Sequence, residues 1–144
     1  LKLIKGSHLI IDKNVSNYFL FQEVAGNRII FIMPYKNKTL IGTTEIEHSL
    51  DDEIKCSKNE IEYLTGIYNQ YFKEELKHEN ILSTFSGVRP IINNKKNKGF
   101  NPSSASRESA IERFNKCITI YGGKWTSAPS LSKKLSNIID KKYT

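Results

Sequence analysis

An α+β fold, a largely antiparallel sheet with flanking helices, follows from three features of this sequence. Short runs rich in β-branched and aromatic residues follow one another through the first fifty positions, separated by turn residues. Two segments carry helical spacing, one mid-chain and one at the end. Two more strand-like runs, 81–89 and 117–121, lie between those helices, and no internal repeat is visible.

The elements are justified in turn. Residues 9–12 read as an apolar strand end, and 18–21 (Tyr-Phe-Leu-Phe) as the next strand. Ala25-Gly26-Asn27 is a hairpin turn signal leading into a strand over 28–33. Pro34 is expected to end that strand, because it has no N–H to donate to the ladder. Lys36-Asn37-Lys38 makes the next turn, and 39–47 reads as one strand in which Gly42 marks a bulge or a close approach. Ser57-Lys58-Asn59-Glu60 has the form of a capping box. It opens a helix over 58–73 with Ile61, Leu64, Tyr68 and Tyr71 on one face. The polar stretch 93–106, dominated by Asn, Lys, Gly and Ser, offers little apolar surface and is expected to be a mobile loop. Ser127 is placed to cap a last helix with Pro129 in its first turn and Leu131, Leu135, Ile138 and Ile139 on one side.

At 144 residues, 38% of them hydrophobic, the chain has the size and composition of one ordinary domain. It has no apolar run long enough to span a membrane and no basic-plus-apolar leader. It begins at Leu1 and its only methionine is Met33, so it is expected to be part of a longer translation product. Cys56 and Cys117 are too few for a disulfide scaffold, which points to a reducing, cytoplasmic setting. The net charge of +7 is concentrated in the second half, mainly as lysines in 93–98 and the C-terminal helix. Such lysines read as solvated surface, and aromatics interleaved with them are missing, so nucleic acid is not expected as a partner.

Candidate site residues are spread along the chain at the ends of strand-like runs: Ser7-His8, Ser86 to Pro90, Ser106-Arg107 and Gly122-Gly123-Lys124. His8 can serve as a general base or donate to a substrate oxygen, although a lone histidine can equally be held by a neighbouring backbone group. His48 and His78 lie in polar, turn-like surroundings and read, more strongly than His8, as histidines held by a neighbouring backbone group. No histidine or cysteine pair has metal-ligand spacing, so no metal is expected. A guanidinium at a strand end, such as Arg89, can grip a carboxylate or phosphate bidentately, or form a structural ion pair. Gly122-Gly123-Lys124-Trp125-Thr126 joins a strand to a helix start, where paired glycines permit close backbone approach and free amides favour an anion; a plain turn is the other reading. It lacks P-loop spacing. Arg107 is locally uninformative. With no nucleotide-binding glycine loop ahead of these groups, the chain reads as the substrate-gripping part of an enzyme whose cofactor-gripping part lies elsewhere.

Five blocks together, Lys5-Gly6-Ser7-His8, residues 28–34, Ile41-Gly42-Thr43-Thr44, Phe85-Ser86-Gly87-Val88-Arg89-Pro90 and Tyr121-Gly122-Gly123-Lys124, resemble the FAD-dependent glycerol-3-phosphate dehydrogenases. The resemblance covers about residues 2–135. It implies a substrate-binding domain over 1–116, with 117–144 supplying the last strand and helix of the FAD-binding domain. It implies oxidation of sn-glycerol 3-phosphate to dihydroxyacetone phosphate, electrons passing through FAD to a quinone, and a cytoplasmic enzyme peripheral on the inner face of the membrane. By the same resemblance His8, Arg89 and Lys124 are catalytic, Arg107 and Arg89 hold the substrate, and Gly122, Gly123 and Thr126 lie along the flavin. Ser106-Arg107-Glu108-Ser109 stands where the family usually has Thr-Arg-Asp-Tyr, and Trp125 to Pro129 replaces an aliphatic residue, two threonines and Tyr-Arg. With the family's amino-terminal dinucleotide motif absent, the chain alone is expected to hold no FAD and to be inactive. Two alternatives stand beside this reading. One is the substrate domain of another amine or amino-acid oxidase-like flavoprotein, and the other is a non-catalytic remnant.

Overall fold

The computed structural model describes residues 1–23, 28–92 and 108–143. The 25–27 turn, the 93–106 stretch and Arg107 lie outside the described residues. The chain divides into two compact units, Leu3–Arg89 and Pro90–Thr144 with Leu1–Lys2.

In the first unit, β1 (Lys2–Ile11), β2 (Phe19–Gln22), β3 (Ile29–Tyr35) and β4 (Lys38–Gly42) form an antiparallel sheet in the order β2-β3-β4-β1. β5 (Ile46–His48) pairs with the first part of β1, Leu3 to Lys5, and β4 with its second part, His8 to Ile11. β6 (Ile81–Ile91) also pairs with β1. The expected strand over 39–47 is therefore two strands, broken at Thr43, Thr44 and Glu45, whose side chains and carbonyls bond across the sheet rather than within the ladder.

Pro34 does not end β3. The hairpin turns on two residues, Lys36 and Asn37, with φ of 47° and 60°, as a type I′ turn requires. Tyr35 and Lys38 close that turn, so the next pair, Pro34 and Thr39, falls at a non-hydrogen-bonded position. The nitrogen of Pro34 thus points away from β4, and β2 stops opposite Ile32, so no ladder bond is lost.

Helix α1 (Lys58–Tyr71) covers one face of the sheet. Period-2 alternation sends Leu9, Ile11, Ile30, Ile32 and Ile41 to that face, where they bury against Leu64, Tyr68 and Leu76. The capping box forms as expected: Ser57 Oγ accepts from Glu60 N, and Glu60 Oε2 accepts from Ser57 N at 2.8 Å. The helix ends two residues before the expected position, and Tyr71 is 43% exposed, its ring stacked on Phe21 instead of reaching the core.

In the second unit β7 (Ser109–Phe114) and β8 (Cys117–Gly122) make a two-stranded hairpin turning at Asn115-Lys116. β7 was not expected, because Glu112 and Arg113 interrupt its apolar pattern. A single 3₁₀ turn, Trp125–Ser127, leads into α2 (Ala128–Tyr143). Ser127 does not cap α2 as expected: its hydroxyl accepts from the Lys124 backbone N–H and donates to the Lys124 carbonyl, closing the 3₁₀ turn. Leu131, Leu135 and Ile138 are half-buried, while Ile139 is exposed. Cys56 and Cys117 are both free thiols.

Candidate active site

The face of the sheet away from α1 carries the candidate site. Register places His8 (β1), Gly42 (β4), Phe31 (β3) and Leu20 (β2) in one row across four strands. Phe85 of β6 extends the row, its ring stacked on His8 with centroids 4.7 Å apart and planes 7° from parallel. Gly42 is what lets this row lie flat. A Cβ built there would come within 2.7 Å of His8 Cγ and 2.9 Å of Nε2, so any side chain would displace the imidazole. Of the two readings of Gly42, bulge or close approach, the structure shows the second. Gly42→Ala is expected to unstack His8 from Phe85, seen by NMR as loss of the upfield ring-current shift on the His8 ring protons. An unchanged shift would show that the ring tolerates the methyl group.

Alternation along β6 puts Phe85, Gly87 and Arg89 on this same face. A Cβ on Gly87 would meet nothing within 4 Å. The Arg89 guanidinium pairs through Nη2 with Glu45 Oε1, and Glu45 sits in the break between β4 and β5. Burial, and then the positive charge of Arg89, push the His8 imidazole below its ordinary value of 6.5. His8 is accordingly neutral at pH 7, and its Nδ1 is buried with no hydrogen-bond partner among the described residues. A neutral imidazole next to a guanidinium can take a proton from a hydroxyl that the cation holds in place.

Beneath this row, on the α1 side, lies a polar layer that sequence reasoning missed. Glu60 is 2% exposed. Its Oε1 accepts from Ser7 Oγ at 2.7 Å and Thr44 Oγ1 at 2.6 Å. Its Oε2 accepts from Ser57 N and Ser57 Oγ and pairs with Lys5 Nζ at 2.8 Å. Ser7 Oγ lies 2.7 Å from Ser86 Oγ on β6. Burial pushes the Glu60 carboxyl up, but the Lys5 ammonium, the Ser57 backbone and the Thr44 and Ser7 hydroxyls outweigh it and hold it at about 2. A signal existed: Lys5 and Ser7 alternate in step with buried Leu9 and Ile11, so two polar side chains were due on an inward face and needed a partner.

The remaining expected residues lie in the other unit. Gly122 and Gly123 have φ of 65° and 105°, a left-handed backbone that glycine adopts without strain. A Cβ on Gly122 would stand 3.1 Å from the Glu108 carbonyl oxygen. Lys124 and Thr126 follow it and are exposed, as is Trp125 at 94%. His8 and Arg89 are thus brought together in one unit, and Gly122, Gly123, Lys124 and Thr126 are neighbours in the other.

The described residues include no cluster of three His, Cys, Asp or Glu able to hold a metal, and no helix long and apolar enough to cross a membrane. What the first unit presents is flat and largely apolar: Phe31 is 38% exposed, Phe85 47% and Leu20 61%, with an imidazole in their midst.

Residues 1–137 match the family model for the FAD dependent oxidoreductases (DAO), and the chain belongs to that family. Within it, the chain is similar to D-erythritol 1-phosphate dehydrogenase of Brucella abortus (strain 2308), 36% identical over 92% of this chain and 27% of that protein. It is also similar to aerobic glycerol-3-phosphate dehydrogenase of Escherichia coli (strain K12), 30% identical over 92% of this chain and 28% of that protein. Among solved structures it resembles glycerol-3-phosphate dehydrogenase from Bacillus halodurans complexed with FAD, with a TM-score of 0.74 and 25% identity over 98% of this chain and 27% of that one. The α+β fold is that of the matching part of this solved structure, and the chain spans about a quarter of the length of each of these relatives.

Proposed function

We propose that this chain is the substrate-binding part of an FAD-dependent dehydrogenase of polyol phosphates, with sn-glycerol 3-phosphate as substrate and dihydroxyacetone phosphate as product. The observation that carries the reading is the neutral His8 set beside Arg89 on an open apolar face. In this reading Arg89 orients the C2 hydroxyl and His8 takes its proton as the C2 hydrogen departs with its electron pair. FAD, when bound, would supply the hydride-accepting chemistry, with a quinone at the inner face of the membrane as the final electron acceptor. Phe85 and Phe31 exclude water from the reacting carbon. Arg107 takes the phosphate, and Lys124, Gly122, Gly123 and Thr126 would be the residues of this chain that help hold the flavin. Residues 1–116 are then the substrate domain and 117–144 the last strand and helix of the FAD-binding domain. By itself the chain holds no FAD and turns nothing over.

A second substrate is favoured by the 36% identity to an erythritol phosphate dehydrogenase. Erythritol 1-phosphate offers the same chemistry, a secondary hydroxyl on a chain ending in phosphate, with one more carbon to seat. Dye reduction by a complete, FAD-loaded enzyme carrying these residues tests both. Turnover is expected with one or both polyol phosphates. Turnover with amino acids and with neither phosphate would overturn the reading and favour an amino-acid oxidase-like site in which Arg89 holds a carboxylate.

A further inference from the structure

We infer that Glu60, on the far side of the sheet from His8, is a positioning residue that holds three separate strand segments in the arrangement that brings His8 and Arg89 together. The inference rests on the reading of that pair as the substrate-facing groups. The two hydroxyls bonded to Glu60 Oε1, and the serine beyond them, belong to sequence neighbours of residues at the site. Ser7 precedes His8. Thr44 precedes Glu45, which pairs with Arg89. Ser86, reached through the Ser7 hydroxyl, follows Phe85, which stacks on His8. Because successive side chains alternate between faces, fixing one residue below the sheet fixes the direction of the next one above it.

The residue type suits the task. An ionised carboxylate only accepts, with about four lone-pair sites, and here every bond to it comes from a donor. A glutamine would turn an NH₂ group towards one of those donors. Thr44 doubles the tie by accepting from the Ser7 N–H at 2.8 Å, while Ser7 O accepts from Thr44 N at 3.2 Å. The Thr43–Glu45 break is pinned from a further side by Arg28, which donates to the Thr43 carbonyl at 2.8 Å. Buried ionic groups seldom add much net stability over an apolar filling, and setting register is their best-attested use.

The test reads His8 itself, in the full chain without substrate. Its titration midpoint and the Phe85 ring-current shift on its ring protons are followed by NMR in Glu60→Gln, Thr44→Val and Ser86→Ala. Leu64→Ala, which removes core packing from the same helix, is the control. The His8 midpoint is expected to move towards 6.5 and the ring-current shift to shrink in Thr44→Val and Glu60→Gln, with neither changed in Leu64→Ala. Should Glu60→Gln not fold, the two single-arm variants decide. An unmoved midpoint and unchanged shift in Thr44→Val and Ser86→Ala would overturn the inference, as would equal changes in Leu64→Ala. None of these readings involves turnover, so a failure of the polyol phosphate assignment would show separately, in the dye assay.

Discussion

Glu60→Ala is expected to destabilise the protein by about 3–5 kcal/mol, the usual cost of leaving a buried ion without its partner. Lys5, 8% exposed, would keep only the Lys55 carbonyl at 2.6 Å, and the hydroxyls of Ser7 and Thr44 would lose their acceptor. The same group sets an acid dependence. Its carboxyl titrates at about 2 in the fold against an ordinary 4.5, so its contribution is fully present above 4.5 and is lost as the pH falls through about 2. That gap corresponds to about 3 kcal/mol. Urea unfolding between pH 7 and pH 2 should show the wild type losing stability over this window by about that much more than Glu60→Gln. Parallel curves for the two proteins would mean that Glu60 is not held ionised by its partners.

Arg89→Lys, in a complete FAD-loaded enzyme, is expected to raise the barrier to turnover by about 2–4 kcal/mol, while Lys133→Ala on the exposed side of α2 leaves it unchanged. Lysine keeps the charge but has one ammonium where arginine has a planar fork, and part of that fork is committed to Glu45. An ammonium has donors enough for both partners but lacks the rigid planar fork that would hold Glu45 and a substrate oxygen in fixed directions at once. The loss should fall on kcat more than on KM, since orientation matters most as charge develops. Equal, small effects from both substitutions would reduce Arg89 to an ion-pair partner.

What could be read in the sequence was local. The box at Ser57 and Glu60 marked the start of α1 because its two reciprocal bonds span three residues. The further bonds of Glu60 were invisible, since Ser7 lies 53 positions away and Thr44 16. β1 was recognised only from Leu9 onwards, because Lys5, Ser7 and His8 broke its apolar run, and these are the residues that the site and its support require. His8 and Arg89 stood out by residue type and strand-end position, but Glu45 did not. A carboxylate in a polar stretch carries no mark of the guanidinium it will meet 44 positions later. Pro34 misled because its effect depends on which side of the strand is paired, a matter of turn length that Lys36-Asn37 settles only once both are seen in left-handed conformations.

The separations along the chain also set an order of assembly. The hairpin of β3 and β4 closes over two residues, Lys36 and Asn37, and loses little chain entropy in doing so. The bonds beneath His8 join residues 53 and 79 positions apart. They cannot form until β1, α1 and β6 have all been made. On the ribosome, then, His8 emerges well before its surroundings are complete, because they stay unfinished until Ser86 has cleared the exit tunnel. Until then the early strands must remain soluble with Lys5 and Ser7 still in water, and those two polar residues in the first strand keep that waiting segment from being uniformly apolar.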